Sequence, residues 1–510
     1  MAKQKEISQQ LSREQSFAQL AEQSRFDMIV VGGGATGLGT ALDAASRGLR
    51  VAVFESHDFA SGTSSRATKL VHGGVRYLAQ GHIPLVREAL RERSRLLANA
   101  PHNAHPLQFV MPSFQWWERP FYGIGLKMYD ALSGSHGLGA TEFLSSAETR
   151  EALPGVRSDG LSGGVRYWDG QFNDARLAID LARTAASFGA LVFNYCKVDR
   201  LIEDAGKVVG VHVVDQETEQ GYDVQSNCVI NATGVWVDAL RGASGGADAS
   251  AVKPHLNIRH LVRPSRGVHL VVSRDFMPTD CAMLIPKTRD GRVLFIVPWL
   301  GHLILGTTDT PVDTASREPH PDKADVDFIL GEAAHYLSRA PTRADVLSIW
   351  SGLRPLVQDV SAGSTKTISR EHTIEIAANG LLTVTGGKWT TYRAMSEDVI
   401  TYALAAKLLP AGTSPHCVTY DLPILGTDSP CNTPDIACAG DPDFVRYAVE
   451  HEFARTVSDV LARRSRALFL DAKAAEKLAP AVAQVMARLG IRDPDTASLG
   501  QLAQLYQSCP

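Results

Sequence analysis

The feature that most narrows what this chain can fold into is a short run near its start, Val30-Val31-Gly32-Gly33-Gly34-Ala35-Thr36-Gly37. It follows the apolar stretch Phe26 to Val31 and opens a helical pattern over Leu38 to Ser46. Gly32, Gly34 and Gly37 have the G-x-G-x-x-G spacing, and a second apolar stretch ends in Glu55, about 20 positions further on. Each part has a physical task. Gly32 permits a tight turn, Gly34 lets backbone amides approach a diphosphate, and Gly37 lets helix and strand pack closely. The helix start at Ala35 and Thr36 offers unpaired N–H groups to the anion, and Glu55 is placed to bind ribose hydroxyls. The unit predicts an adenine dinucleotide site and leaves FAD and NAD both open.

At 510 residues the chain exceeds one ordinary core, so two or three domains are expected. Its 44% hydrophobic and 21% charged content is that of a globular protein in water. A net charge of -4 speaks against nucleic acid, which wants a basic stripe. The seven cysteines are scattered and form no C-x-x-C pair, so reduced thiols in a cytosolic compartment are expected, with no metal site. Residues 1–25 are a polar extension without the apolar core of a secretory signal. The apolar patch Val293 to Gly306 is broken by Pro298, Gly301 and His302 and reads as two strands and a turn. A spanning helix would need about 20 apolar residues.

After Glu55, the stretch Thr63 to Leu78 holds Thr63, Ser64, Ser65, Lys69, Leu70, His72, Gly74, Arg76 and Tyr77. It suits a loop running along phosphates and a flat ring, and equally an ordinary surface loop. Residues 85–98 predict an amphipathic helix. Residues 112–132 mix Trp116, Trp117, Phe121, Tyr122 and Met128 with Arg119 and Lys127. Two readings fit: an interfacial membrane anchor, or core rings with exposed cations, and composition leans to the second. From Asp174 a helix and strands lead to Ile230-Asn231-Ala232-Thr233-Gly234, a second close approach of backbone to cofactor that favours FAD. Residues 255–310 predict a mixed sheet over the flavin, carrying Arg266-Gly267-Val268-His269 and ending in Gly306-Thr307-Thr308-Asp309. Residues 381–393 read as a strand, the turn Gly386-Gly387-Lys388 and a helix start at Trp389 and Thr390. The positive end of such a helix would face charge on a reduced flavin.

Together the stretches GGGATG, TSSRATKLVHGGVRYL, INATGVW, RGVHLVV, VPWLGHLILGTTDT, SGLRPL, ISREHTIEI and TGGKWTTYR resemble the FAD-dependent glycerol-3-phosphate dehydrogenases, the respiratory, quinone-linked enzymes, from Phe26 to Met395. The resemblance implies an α/β fold, α+β in part: a Rossmann-type FAD-binding domain interleaved with an antiparallel-sheet substrate domain, plus a shortened C-terminal helical cap. The expected boundaries are a FAD-binding domain at about 26–110, 165–240 and 345–410, with the substrate domain at about 111–164 and 241–344. A linker at 411–442 and a helical domain at 443–510 follow. The implied reaction is oxidation of sn-glycerol 3-phosphate to dihydroxyacetone phosphate, with electrons passing through FAD to quinone. The implied setting is cytoplasmic, with peripheral contact at the inner face of the plasma membrane through 112–132. A homo-oligomer is compatible with all of this.

By the same resemblance, Arg76, Tyr77, Arg354 and Arg370 fall at substrate positions, and His269 and Lys388 near the flavin and the reacting carbon, with Arg354 also counted among the catalytic set. For the proton acceptor, His269 has the side chain whose ordinary pKa lies nearest neutrality, while a desolvated Lys388 is the alternative. Two rival functions share these residues: an oxygen-using oxidase of glycerol 3-phosphate or a related hydroxy acid, and a non-catalytic flavin-bearing sensor or assembly protein.

Overall fold

The computed structural model describes residues 11–23, 25–79, 81–242, 260–357, 372–426, 428–431 and 435–510. The glycine motif sits at the centre of a six-stranded sheet with the order His372–Ile376, Leu382–Gly386, Val229–Asn231, Met28–Val31, Val51–Phe54, Leu191–Phe193. All neighbours are parallel except the edge strand His372–Ile376. The central strands are buried on both faces, which is why Met28–Val31 and Val51–Phe54 are continuous apolar runs without alternation. The helices Ala35–Ser46 and Asp174–Ser187 and the helix Tyr392–Ala405 share one core with them.

A ten-stranded sheet forms the second body. Its longest pairing joins Val262–Ser273 to Val346–Val357, with His269 opposite Trp350 and Ser265 opposite Arg354. The apolar patch at 293–306 is indeed two strands, Leu294–Trp299 and His302–Gly306, joined by a turn. Strands Ala104–Ser113 and Gly163–Phe172 also belong to this sheet, so it draws on more of the chain than 111–164 and 241–344. A three-stranded antiparallel sheet from Cys196 to Gln225 forms a small flank. The chain closes in helices Pro442–His451, Ala467–Leu470, Ala472–Arg488 and Thr496–Gln507 and a π-helical turn Asp459–Arg464, packed on the large sheet.

Two sequence expectations fail. Cys431 and Cys438 are joined in a disulfide, whereas the other five cysteines are free. Their Cα atoms lie 6.2 Å apart, a closeness that a spacing of seven positions does not announce. Most of the apolar side chains singled out in 112–132 are not core: Trp116 is 84% and Phe121 65% exposed, with Trp117, Ile124 and Met128 also exposed, while Tyr122 is partly buried. Helix Glu118–Ser133 buries the opposite face through Gly123, Leu126 and Tyr129, so its outward stripe is apolar. Among the described residues no helix is long and apolar enough to cross a membrane.

Candidate functional site

A cavity of about 550 Å³ runs from the glycine turn at the end of Met28–Val31 to the strand pair carrying His269 and Arg354. At one end the backbone is too close for side chains. Gly32 has φ +113°, and a Cβ there would stand 2.5 Å from the Ala232 carbonyl oxygen. A Cβ on Gly37 would collide with the Gly32 carbonyl. Gly37 therefore does its work behind the cavity, in the contact of helix and strand. Gly32, Gly34, Ala35 and Thr36 line it. Glu55 lines it too, and its carboxylate accepts from the Gly33 N–H (2.7 Å) and the His57 N–H (3.0 Å). Burial pushes the Glu55 carboxyl up, and those two N–H bonds oppose the rise.

The segment 61–72 forms one long wall. Thr63, Ser64, Leu70 and His72 line the cavity. Thr63 donates to the Leu353 carbonyl (2.6 Å), and Ser64 accepts from the Ala35 N–H (2.9 Å) while its own carbonyl accepts from the Trp389 indole (2.9 Å). Lys69, Ser65 and Gly74 do not line it. Lys69 turns away into the protein, where its ammonium meets Asp174 at 2.7 Å and donates to the Ser65 carbonyl at 2.8 Å. Its φ of +65° is what aims it backwards, and a local sequence pattern cannot show that. Thr233 and Gly234 line the opposite wall, as do Gly387, Lys388, Trp389 and Thr390.

His269, Arg354, Lys388 and Tyr77 all line the cavity. The Lys388 ammonium lies 4.3 Å from the centre of the Tyr77 ring. Room for the other two side chains is made by glycines. A Cβ on Gly267 would stand 2.5 Å from the Arg354 guanidinium, and one on Gly306 would collide with the His269 ring. Arg354 donates to the Thr308 carbonyl (3.0 Å) and the Thr307 hydroxyl (3.1 Å) and lies 3.3 Å from Asp309. The His269 ring is buried, stacks on Trp350 with centroids 4.1 Å apart, and shares a 2.9 Å hydrogen bond between Nε2 and the Thr68 hydroxyl. Its Nδ1 has no hydrogen-bond partner among the described residues. Burial, then the charges of Lys69 and Arg354, hold the imidazole pKa well below 6.5, so the ring is neutral at physiological pH. Arg76 belongs to the short helix Val75–Ala79, and Arg370 lies outside the described residues.

Sequence reasoning missed several lining residues: His57, Arg66, Thr68, Lys197, Trp236 and Arg317. Arg66 and Thr68 sit inside a motif already singled out, but only the fold shows that Thr68 meets a histidine 201 positions away. Burial, followed by Arg317 and Arg463, lowers the His57 pKa to about 3, so this ring is neutral as well. Among the described residues no group of three or more His, Cys, Asp or Glu side chains could hold a metal ion.

Comparison with known proteins adds to this geometry. Residues 27–393 match the family described as FAD dependent oxidoreductase, and residues 443–495 match the C-terminal domain of alpha-glycerophosphate oxidase. Over 536 aligned residues the chain is 40% identical to the mitochondrial glycerol-3-phosphate dehydrogenase of Macaca fascicularis and 39% identical to that of Homo sapiens. Each alignment covers 94% of this chain and 72% of the relative. The solved glycerol-3-phosphate dehydrogenase from Bacillus halodurans, complexed with FAD, superposes with a TM-score of 0.76 at 28% identity over 98% of both chains. The dithionite-reduced L-alpha-glycerophosphate oxidase from Mycoplasma pneumoniae, with FAD bound, shares the fold at a TM-score of 0.56 and 18% identity, over 78% of this chain and 98% of that one.

Proposed function

Because the chain belongs to the FAD-dependent glycerol-3-phosphate dehydrogenases, we propose that it oxidises sn-glycerol 3-phosphate to dihydroxyacetone phosphate and passes the electrons to a quinone. The observation that carries this reading is the neutral, buried His269 with the cation Arg354 near it, in a cavity that Lys388 also lines. An alcohol oxidation needs a proton acceptor, an electron acceptor and a grip on the rest of the substrate, and a phosphate ester asks for cations as the grip.

The residues present suit FAD. At Gly32 and Gly37 a Cβ would run into backbone, as a diphosphate-binding turn requires, and one cavity holds both this turn and His269. The N–H groups at the start of Ala35–Ser46 would hold the diphosphate, and Glu55 the ribose. Bound there, FAD supplies the two-electron acceptor. His269 takes the hydroxyl proton, and its bond to Thr68 leaves one ring nitrogen for that purpose. Arg354, held by Thr307 and Thr308, orients the phosphate, and Lys388 adds positive charge near the hydroxyl oxygen. Arg354→Met should raise KM for glycerol 3-phosphate by about 10- to 100-fold, since a hydrogen bond to a charged group contributes about 1.5–3 kcal/mol. Steady-state kinetics on variant that retains its flavin spectrum checks this, and an unchanged KM would remove Arg354 from the phosphate grip.

Anaerobic titration of the holoenzyme with glycerol 3-phosphate tests the reaction itself: the flavin absorbance should bleach. Reoxidation by a soluble ubiquinone analogue should then outpace reoxidation by oxygen. Fast oxygen turnover with stoichiometric peroxide would make the protein an oxidase, and absence of bleaching would leave a flavin-bearing protein without this activity.

Delivery of electrons to a quinone fits peripheral contact with a bilayer through the outward stripe Trp117, Phe121, Ile124 and Met128, with Trp116 beside it. Such rings sit at headgroup depth while neighbouring cations such as Lys127 meet anionic lipid. The double variant Trp116→Ser/Phe121→Ser should partition into anionic vesicles at least about tenfold more weakly, a loss of about 1.4 kcal/mol. Co-sedimentation measures it, and equal partitioning of variant and parent would assign the stripe another role.

A further inference from the structure

The C-terminal helices carry no residue of the cavity wall, yet they grip the wall from behind. Asp58, just before the cavity segment 61–72, is held by Arg463 and Arg464 from the π-helical turn. Arg466, in a left-handed conformation at φ +64°, sends its guanidinium to the Ser65 carbonyl at 2.7 Å and stands 3.4 Å from Asp174. Asp174 in turn accepts from the Ala67 N–H (2.9 Å) and pairs with Lys69. A third link runs through Glu318, which takes Arg66 at 2.5 Å and the Tyr506 hydroxyl at 3.1 Å.

Both outlets of this network end on His269. Thr68, held between the anchored residues Ala67 and Lys69, bonds the imidazole Nε2. Lys69 lies 4.7 Å from the centre of the Trp350 ring, on which His269 stacks. Lys69, Asp174 and Arg466 are fully buried. A buried ion cluster is a weak stabiliser, because desolvating the charges offsets most of their attraction, and apolar residues of the same volume serve stability as well. What apolar residues could not do is fix a backbone carbonyl and a threonine hydroxyl at set positions.

The geometry points to the C-terminal helical domain as a positioning element of the redox site, with Arg466 as a positioning residue that holds segment 65–69 and, through Thr68, the orientation of His269. The inference rests on the reading of His269 as proton acceptor for its kinetic consequence, but not for its effect on segment 65–69.

The test uses the FAD-loaded enzyme. Arg466→Met should lower kcat for glycerol 3-phosphate by roughly 10- to 100-fold, the size expected for a small displacement of a catalytic group, with KM changed less than about twofold. Arg466→Lys, which can still reach one carbonyl, should recover part of the loss. In a double-mutant cycle Arg466→Met and Thr68→Val should be strongly non-additive, because both break one path. Arg455→Gln, which cuts a pair with Glu217 at the exposed edge of the same domain junction, should lower the melting temperature and leave kcat unchanged. If Arg466→Met does not fold, Tyr506→Phe and Arg466→Lys carry the test through the same kcat and cycle measurements. Additive effects, or a fall in melting temperature with kcat per bound flavin intact, would make the contact merely structural. A shifted oxidised-flavin spectrum or weakened FAD binding in Arg466→Met, with His269→Ala kinetically silent, would uphold the positioning of the segment while removing His269 from the chemistry.

Discussion

Replacing His269 with alanine should slow anaerobic reduction of the flavin by glycerol 3-phosphate by about 10²- to 10⁴-fold, the range in which a positioned base contributes. That corresponds to about 3–5 kcal/mol of barrier. Binding should suffer less, because Arg354 remains to hold the phosphate end. Stopped-flow reduction separates the two: the limiting rate falls while the substrate concentration at half-saturation changes little. Equal loss in binding with an unchanged limiting rate would take His269 out of the proton transfer. The pH dependence has a definite sign. Burial first, then Lys69 and Arg354, depress the imidazole pKa below 6.5, so the base stays deprotonated into the mildly acid range. The acid limb of the reduction rate should therefore lie below 6.5 in the parent enzyme. The same shift costs stability at low pH. Below 6.5 the unfolded chain binds a proton at this residue that the folded chain refuses, so stability present above that pH is progressively lost as pH falls.

The second large effect is expected at Gly37. A valine there would drive its Cβ into the Gly32 carbonyl and crowd the Val30 side chain, so the helix Ala35–Ser46 must lift from its strand. Overpacking of this kind costs about 1–3 kcal/mol in an ordinary core, and here the obstacle is backbone, which has least freedom to yield. The N–H groups proposed to hold the diphosphate move with the helix. Gly37→Val should leave the protein with little or no bound FAD, read from the ratio of flavin to protein absorbance and from titration of the apoprotein. Gly125→Ala is the matched control. A Cβ there meets open space within the helix Glu118–Ser133, so flavin content should be unchanged and stability equal or raised by up to about 1 kcal/mol. Retention of FAD at parental affinity in Gly37→Val would show that the turn tolerates more movement than its geometry allows.

What the sequence by itself determined is the part written in local spacing. The glycine turn, the acid at the end of the next strand and the glycine turn before Lys388 each depend on backbone conformation over a few residues, and all three stand at the cavity. Because apolar runs buried on two faces differ visibly from amphipathic helices, the strand Val51–Phe54 and the helix Ile83–Asn99 were legible too. The tertiary structure alone decided which side each remaining residue faces. Lys69 shares a motif with Thr63 and Ser64 yet points into a buried ion cluster, because Asp174 and Ser65 receive it there. Trp116 and Phe121 have core composition yet stand outside, because Leu126 and Tyr129 already fill the inner face of their helix. His269 meets Thr68 because two segments 201 positions apart fold to one wall. Burial and partnership arise from contacts between distant segments, and no window along the chain contains both halves of such a contact.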